Sequence, residues 1–212
     1  MKYEAVIFDL DGVICHTDKY HYQAWKQISD ELGIYFDEVI NNRLRGVSRM
    51  ESFEIILERY DGQMSEEDKI AYTEKKNDIY KNLLKNMSPS DLQVEVKSTL
   101  DQLRSKGIKL AIGSSSKNAR FILERLGLEN YFNAICDGNN ISQSKPDPEV
   151  FIKAAQFLNE VEDKCLVVED ATSGLEAARA GGMDCAGIGD ASESELATYQ
   201  LSKFEDLLNI IE

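Results

Sequence analysis

Two aspartates one residue apart, Asp9 and Asp11, end the apolar run that opens the chain (AVIFDLDGV, 5–13), and Glu169 with Asp170 ends another (CLVVED, 165–170). Two further segments offer hydroxyls and a cation: GSSSKN (113–118) with Ser114, and SKPDP (144–148) with Lys145. Brought to one place, the four carboxylates repel strongly, and at least one keeps its proton unless a cation sits among them. A hard, oxygen-seeking ion, Mg²⁺ above all, meets that need. A calcium loop of the EF-hand type does not fit, because it wants glycine at its sixth position and glutamate at its twelfth. Counted from Asp9, Gly12 is fourth and Tyr20 twelfth. No GK[ST] or GxGxxG follows a strand, so nucleotide-binding loops are not indicated either. A carboxylate nucleophile beside a metal, a lysine and hydroxyls has the parts for phosphoryl transfer through an aspartyl phosphate.

Elements must gather these residues from across the chain. Residues 4–8 read as a buried strand, as do IKLAIG (108–113), FNAIC (132–136), CLVVE (165–169) and DCAGIG (184–189). Helices are expected between them: one at about 117–126 opening near Ser116, one begun by Asp147 and Pro148, and one capped by Ser173 with Glu176. Such alternation predicts an α/β fold, a Rossmann-like parallel sheet with helices on both faces. Ligands bind outside the carboxyl ends of such strands, which is where all four polar segments fall. The helix near Ser116 would also aim N-terminal donors at an anion.

From about Asp18 to Met87 the pattern is helical instead. Ala24, Trp25, Ile28 and Leu32 share one face and stop at Gly33; Phe53, Ile56, Leu57 and Tyr60 share another, behind the capping box Ser48–Glu51; a third helix begins at SEED (65–68). The chain therefore divides into a catalytic core (1–15 and 93–212) and an inserted α-helical cap (16–92), joined on the far side by the linker LQVEVK (92–97).

The 212 residues carry 24 Lys and Arg against 38 Asp and Glu, a formal charge of −14, which opposes nucleic-acid binding. The apolar runs are too short to cross a bilayer, and MKYEAVIFDLDG enters a strand without the zones of a signal peptide. A cytoplasmic monomer with no membrane or nucleic-acid partner is expected. Cys15, Cys136, Cys165 and Cys185 lack zinc-type spacing and read as reduced core thiols. In so acidic a chain, the cations of RLRGVSR (43–49) stand out, and Arg49 falls at a helix start, where positive charge forgoes roughly 0.3–1 kcal/mol. An anionic ligand there accounts for it. Arg43 and His16 are assigned to solvent, and the primary role of Trp25 is packing.

DLDGV (9–13), Ser114, Lys145 and the pair Glu169–Asp170 match, in order and spacing, the four motifs of the haloacid dehalogenase superfamily. YHYQAWK (20–26), LRGVSR (44–49), KKND (75–78) and GSSSKN extend the match over nearly the whole chain, which resembles the β-phosphoglucomutase family. The resemblance implies interconversion of β-D-glucose 1-phosphate and β-D-glucose 6-phosphate through glucose 1,6-bisphosphate. It implies that Asp9 is the nucleophile and Asp11 the general acid and base, with Asp9, the backbone carbonyl of Asp11, Glu169 and Asp170 making up the Mg²⁺ site. Ser114 and Lys145 would bind the transferring phosphoryl group, and Arg49, Ser116, Lys117 and Asn118 the other phosphate. Thr17, His21, Trp25, Gly46, Val47 and Lys76 would position the sugar or couple cap closure to Asp11, and Arg45 stands where relatives often have lysine. Lys76 is chosen by resemblance alone, and His21 without it would be a helix-surface histidine. A Mg²⁺-dependent sugar-phosphate phosphatase shares every core motif and is the alternative; a non-enzymatic phospho-acceptor module fits the large insertion less well.

Overall fold

The computed structural model describes residues 2–44 and 47–211. Six strands form one sheet: β1 (Ala5–Phe8), β2 (Lys109–Gly113), β3 (Ala134–Cys136), β4 (Cys165–Glu169), β5 (Asp184–Gly187) and β6 (Tyr199–Gln200). Their spatial order is β3-β2-β1-β4-β5-β6, and every pairing is parallel. The α/β expectation holds. All four residues of β1 and all five of β4 are buried, which is why these strands read as unbroken apolar runs rather than alternating ones.

Successive side chains of each strand go to opposite faces. On one face Ala5, Ile7, Ala111, Val167 and Cys185 pack with Val150, Phe151, Ala154 and Leu158 of α7 (Glu149–Leu158) and with Leu175 and Ala178 of α8 (Thr172–Ala180). On the other, Phe8 stacks on Phe204 at 5.7 Å and meets Phe132 edge-on at 6.5 Å. Gly113 ends β2 without a side chain because a Cβ there would stand 2.8 Å from the Phe151 ring. All four cysteines are free and buried.

The chain divides into two compact units, Met1–His16 with Ser88–Glu212, and Thr17–Met87. The second unit is helical: α1 (Asp18–Glu31), α2 (Glu38–Asn42), α3 (Arg49–Leu57) and α4 (Glu66–Leu84). Leu32 is the C-cap of α1, and Gly33 follows at φ +69°, a conformation L residues resist. Ser48 and Glu51 form the expected capping box of α3, and Ser65 caps α4. Trp25 is 2% exposed and stacks on Phe53 at 5.8 Å, so packing is its first role.

Three local expectations are corrected. LQVEVK is not a linker throughout, because α5 (Val94–Ser105) already begins within it. Its alternating Val and Glu hide a helical stripe in which Val96, Leu100 and Leu103 are buried while Val94 is 77% exposed. Ser173 does not cap α8: Ala171 holds the N-cap position, and Ser173 lies in the first turn. α6 (Ala119–Arg125) starts later than Ser116, because the hydroxyls of Ser114 and Ser116 engage the loop's own N–H groups. The short α2, α9 (Leu207–Ile210) and two-residue β6 carry too few periodic positions to be read from sequence. No helix among the described residues is long and apolar enough to cross a membrane.

Phe151 is fully buried under the sheet centre. Phe151→Ala should lower the free energy of unfolding by about 3–5 kcal/mol, measured by urea denaturation; a loss below about 1 kcal/mol would contradict this packing role.

Candidate active site

β1 and β4 are neighbours in register, Phe8 opposite Val168, so the residues that follow them emerge side by side. Asp9 is anchored there by its N–H donating to Val168 O at 2.9 Å. The oxygens of Asp9, Glu169 and Asp170 lie within 4.8 Å of one another, with Asp9 and Glu169 7% and 1% exposed. At that spacing and an effective dielectric near 20, each like-charged pair repels by on the order of 3 kcal/mol. Lys145, also buried, answers part of the charge: its Nζ donates to Asp9 Oδ1 at 2.5 Å and forms an ion pair with Glu169 Oε1. Glu169 Oε2 accepts from the Ala171 N–H at 3.0 Å.

The electrostatics follow from this geometry. Burial alone would lower the Lys145 ammonium, but Asp9 and Glu169 outweigh it and hold the group charged, above an ordinary lysine. Burial pushes the Glu169 carboxyl up, against the pull of Lys145. Asp170 is pushed up to about 8, first by burial and then by the charges of Asp9 and Glu169. One lysine against three clustered carboxylates leaves an excess of negative charge walled by oxygen donors, a fit for Mg²⁺. Asp9, Glu169 and Asp170 are the side chains that would hold it.

Two glycines make room for this cluster. A Cβ on Gly12, at φ +93°, would stand 2.0 Å from Asp170 Oδ2, and one on Gly174 of α8 would stand 2.0 Å from Glu169 Oε1. Asp11 lies in the same loop, half-buried, bridged to Cys15, and the Gly12 N–H donates to Cys15 O at 2.7 Å. Burial, then the charges of Asp11 and Asp9, hold the Cys15 thiol well above its usual range, so it is no nucleophile.

Ser114 follows β2, the strand on the other side of β1, and is 2% exposed. Its Oγ accepts from the Ser116 N–H at 3.1 Å, and Ser116 Oγ accepts from the Asn118 N–H at 3.2 Å. A hydroxyl that accepts from the backbone still has its own proton to donate, so both are set as donors. Asn118 is buried and Lys117 exposed.

The helical unit holds a second cluster. Lys76 is 3% exposed rather than on a solvated face; its Nζ lies 2.9 Å from His21 Nδ1, 4.9 Å from the centre of the Trp25 ring and 4.7 Å from that of Tyr80. His21 is not a plain surface residue, since its ring stacks on Tyr80 at 4.1 Å. Burial, then the charges of Lys76 and Arg49, hold its imidazole well below the usual range and hence neutral. An ammonium can only donate, so Nδ1 accepts and Nε2 carries the proton. Arg49, at the first position of α3, donates to Asn77 Oδ1 at 2.9 Å, and burial lowers its guanidinium. Thr17 is fully buried ahead of α1, where its carbonyl accepts from the N–H groups of Tyr20 and His21, and Val47 is half-buried. Arg45 and Gly46 lie outside the described residues. His16 is exposed, and Arg43 pairs with Glu58 on the surface. Tyr80 and Asn77 escaped the sequence reading; the signal for both was proximity to Lys76, one turn later and one residue on.

Known proteins are similar to this chain in sequence and fold. The family model for haloacid dehalogenase-like hydrolases matches residues 6–188. The chain is 40% identical over 188 residues to the β-phosphoglucomutase of Bacillus subtilis, covering 88% of this chain and 83% of that protein. It is 32% identical over 217 residues to the phosphorylated carbohydrates phosphatase of Thermotoga maritima, covering 98% of each. The crystal structure of β-phosphoglucomutase from Clostridium difficile superposes with a TM-score of 0.91 at 36% identity, over 99% of this chain and 95% of that one. With its carboxylates and lysine gathered on the carboxyl edge of a parallel sheet, the chain belongs to the haloacid dehalogenase-like hydrolase family.

Proposed function

We propose that the protein is a Mg²⁺-dependent β-phosphoglucomutase that interconverts β-D-glucose 1-phosphate and β-D-glucose 6-phosphate, with glucose 1,6-bisphosphate as intermediate and activator. The observation that carries the reading is the 40% identity to the Bacillus mutase over 88% of the chain. A cytoplasmic monomer acting on a small sugar phosphate is the simplest form of this proposal. Residues 1–15 and 93–212 act as the catalytic core in it, and the helical insert supplies sugar and phosphate recognition.

A carboxylate oxygen of Asp9 attacks the phosphorus, the bond from phosphorus to the sugar oxygen breaks, and Asp11 gives that oxygen a proton. In the return half, Asp11 takes a proton from the other sugar hydroxyl, which attacks the aspartyl phosphate and frees Asp9. Lys145 holds Asp9 Oδ1, fixing the nucleophile's orientation and placing a cation beside the phosphoryl oxygens. Ser114 donates its hydroxyl proton to the same group. Bound Mg²⁺ supplies Lewis-acid charge that offsets repulsion between carboxylate and phosphate. Arg49, Ser116, Lys117 and Asn118 take the phosphate that is not being transferred. His21 offers its Nε2–H to the sugar, with Lys76, Trp25, Thr17, Arg45, Gly46 and Val47 completing sugar recognition.

A sugar-phosphate phosphatase is the second reading, favoured by the 32% identity to the Thermotoga enzyme over 98% of both chains. The two part on whether a sugar or water receives the phosphoryl group, and fold does not decide.

Given Mg²⁺, β-glucose 1-phosphate and a trace of the 1,6-bisphosphate, the protein should yield glucose 6-phosphate without comparable free phosphate; rapid phosphate release would select the phosphatase. Asp9→Asn should abolish both activities, and turnover near wild type would remove the nucleophile assignment. Arg49→Ala removes a charge-assisted contact worth about 1.5–3 kcal/mol, so mutase flux should fall about ten- to hundredfold while hydrolysis of a small aryl phosphate changes little; equal losses would count against the anion site. His21 also predicts a pH effect. Its folded pKa is depressed, so its contribution is intact above the unfolded value near 6.5 and is lost as pH falls toward the folded value, by up to about 1.4 kcal/mol per pH unit. His21→Gln should flatten that acid-side decline in thermal denaturation, and parallel curves would refute the neutral imidazole.

A further inference from the structure

A buried carboxylate stands one strand away from the Ser114 loop and takes no part in the chemistry above. Asp137 follows β3 directly and is 1% exposed. Its N–H donates to Asn140 Oδ1 at 2.9 Å, and its Oδ1 accepts from the Asn139 N–H at 2.9 Å and from Asn139 Nδ2 at 3.1 Å. Its Oδ2 is buried without a hydrogen bond, 3.4 Å from Arg120 Nε on α6, the helix into which the Ser114 loop runs. A buried carboxylate is costly unless its neighbours gain from it, and here they are the residues of the DGNN turn (137–140).

That turn grips the neighbouring loop by its backbone. The Gly138 N–H donates to Ser116 O at 3.1 Å, and Asn139 Nδ2 donates to Lys117 O at 3.0 Å. The approach is so close that a Cβ on residue 138 would stand 2.3 Å from Ser115 O and 2.9 Å from Lys117 N. At the start of the loop the Ser114 N–H donates to Cys136 O at 3.0 Å. Carbonyls 116 and 117 are thus tied to the turn, while the N–H groups of Ser116 and Asn118 are tied to the hydroxyls of Ser114 and Ser116. With both sides of its backbone committed, the loop has little freedom left, and its shape is inherited from the turn that Asp137 closes.

We propose that Asp137 is a positioning residue. Through the Gly138–Asn139 clamp it holds Ser116, Lys117 and Asn118 in the conformation that receives the phosphate not being transferred. The inference rests on the reading of Ser116–Asn118 as an anion loop, and it adds a reason why that loop is ready before the ligand arrives. An ordered loop spares the ligand the cost of fixing it, so the clamp acts on affinity for a substrate that reaches the loop and leaves transfer from a small phosphate ester alone.

The experiment compares Asp137→Ala, Asp137→Asn, Asn139→Ala and Ser116→Ala with wild type, reading kcat and KM for β-glucose 1-phosphate, hydrolysis of p-nitrophenyl phosphate, and Tm. Asn139→Ala deletes the side-chain hydrogen bonds to Lys117 O and to Asp137 Oδ1 but keeps the carboxylate with its backbone partner, so it reports even if Asp137→Ala fails to fold. Asp137→Ala and Asn139→Ala should raise KM for the sugar phosphate about tenfold, the scale of one ordering hydrogen bond, and leave aryl phosphate hydrolysis within about twofold. Asp137→Asn, which keeps the Oδ1 acceptor, should restore KM to near wild type. If Ser116→Ala raises KM while both clamp variants leave it unchanged, the clamp is overturned and the anion loop stands. If Ser116→Ala also leaves KM unchanged, the loop reading fails and takes the clamp with it. A parallel loss of both activities together with Tm would make Asp137 a merely structural residue and overturn its positioning role.

Discussion

Three acidic side chains held within 4.8 Å of one another on the edge of an apolar sheet, with one buried lysine among them, set the terms for the rest of the molecule. Such a cluster is unfavourable for folding by itself, because each added carboxylate meets both burial and its neighbours' charge. Asp170 shows the strain most clearly, its carboxyl pushed up to about 8. Lys145 bridges Asp9 and Glu169 and leaves Asp170 without that cation, so Asp170 is the carboxyl that a bound divalent ion would free of its proton. That imbalance is useful: the same negative field that favours a divalent cation would repel a phosphate monoester, and the cation is what reconciles the two.

The fold meets this constraint with rigidity. β1 and β4 are buried along their whole length, and their register delivers Asp9 and the Glu169–Asp170 pair at the same level. A carboxylate on a loose loop would swing away from its like-charged neighbours; one that continues a buried central strand cannot. Glycines at 12 and 174 are the complement of that rigidity. They concede the volume that the Asp170 and Glu169 carboxylates occupy, so a methyl group at either position would have to displace one of those carboxylates. The apolar core beneath, with Phe151 4.7 Å from Lys145 Nζ, fixes the lysine from below.

How much of this could be read from sequence depended on whether a residue's role is written in its own neighbourhood. Buried parallel strands announce themselves as apolar runs, and the residues at their carboxyl ends announce the edge; the placement of Asp9, Ser114, Glu169 and Asp170 was legible for that reason. The capping box at Ser48 is equally local. Residues whose environment is made by distant contacts were not legible. Lys76 sits in a charged stretch that reads as a solvated face, and only folding α4 against α1 buries it beside His21, Trp25 and Tyr80. VEVK at 94–97 reads as alternation until Val96, Leu100 and Leu103 are seen to share the buried face of α5. Asp137 belongs to the same class, since nothing in DGNN tells that it grips a loop twenty residues earlier.

The same contrast bears on what separates a mutase from a phosphatase on one scaffold. The Bacillus mutase and the Thermotoga phosphatase both align with most of this chain, so overall likeness to either cannot carry the distinction. Water needs no recognition, but a sugar bisphosphate that must offer each end in turn to Asp9 needs cations and donors held for it. Burying Lys76 and lowering the Arg49 guanidinium by burial are costs of folding that hydrolysis alone gives no reason to bear. His21, held neutral beside Lys76, keeps its proton on Nε2 as a directional donor. The clustered carboxylates and Lys145 lie at the sheet edge, and the helical unit holds a buried cation of its own, Lys76.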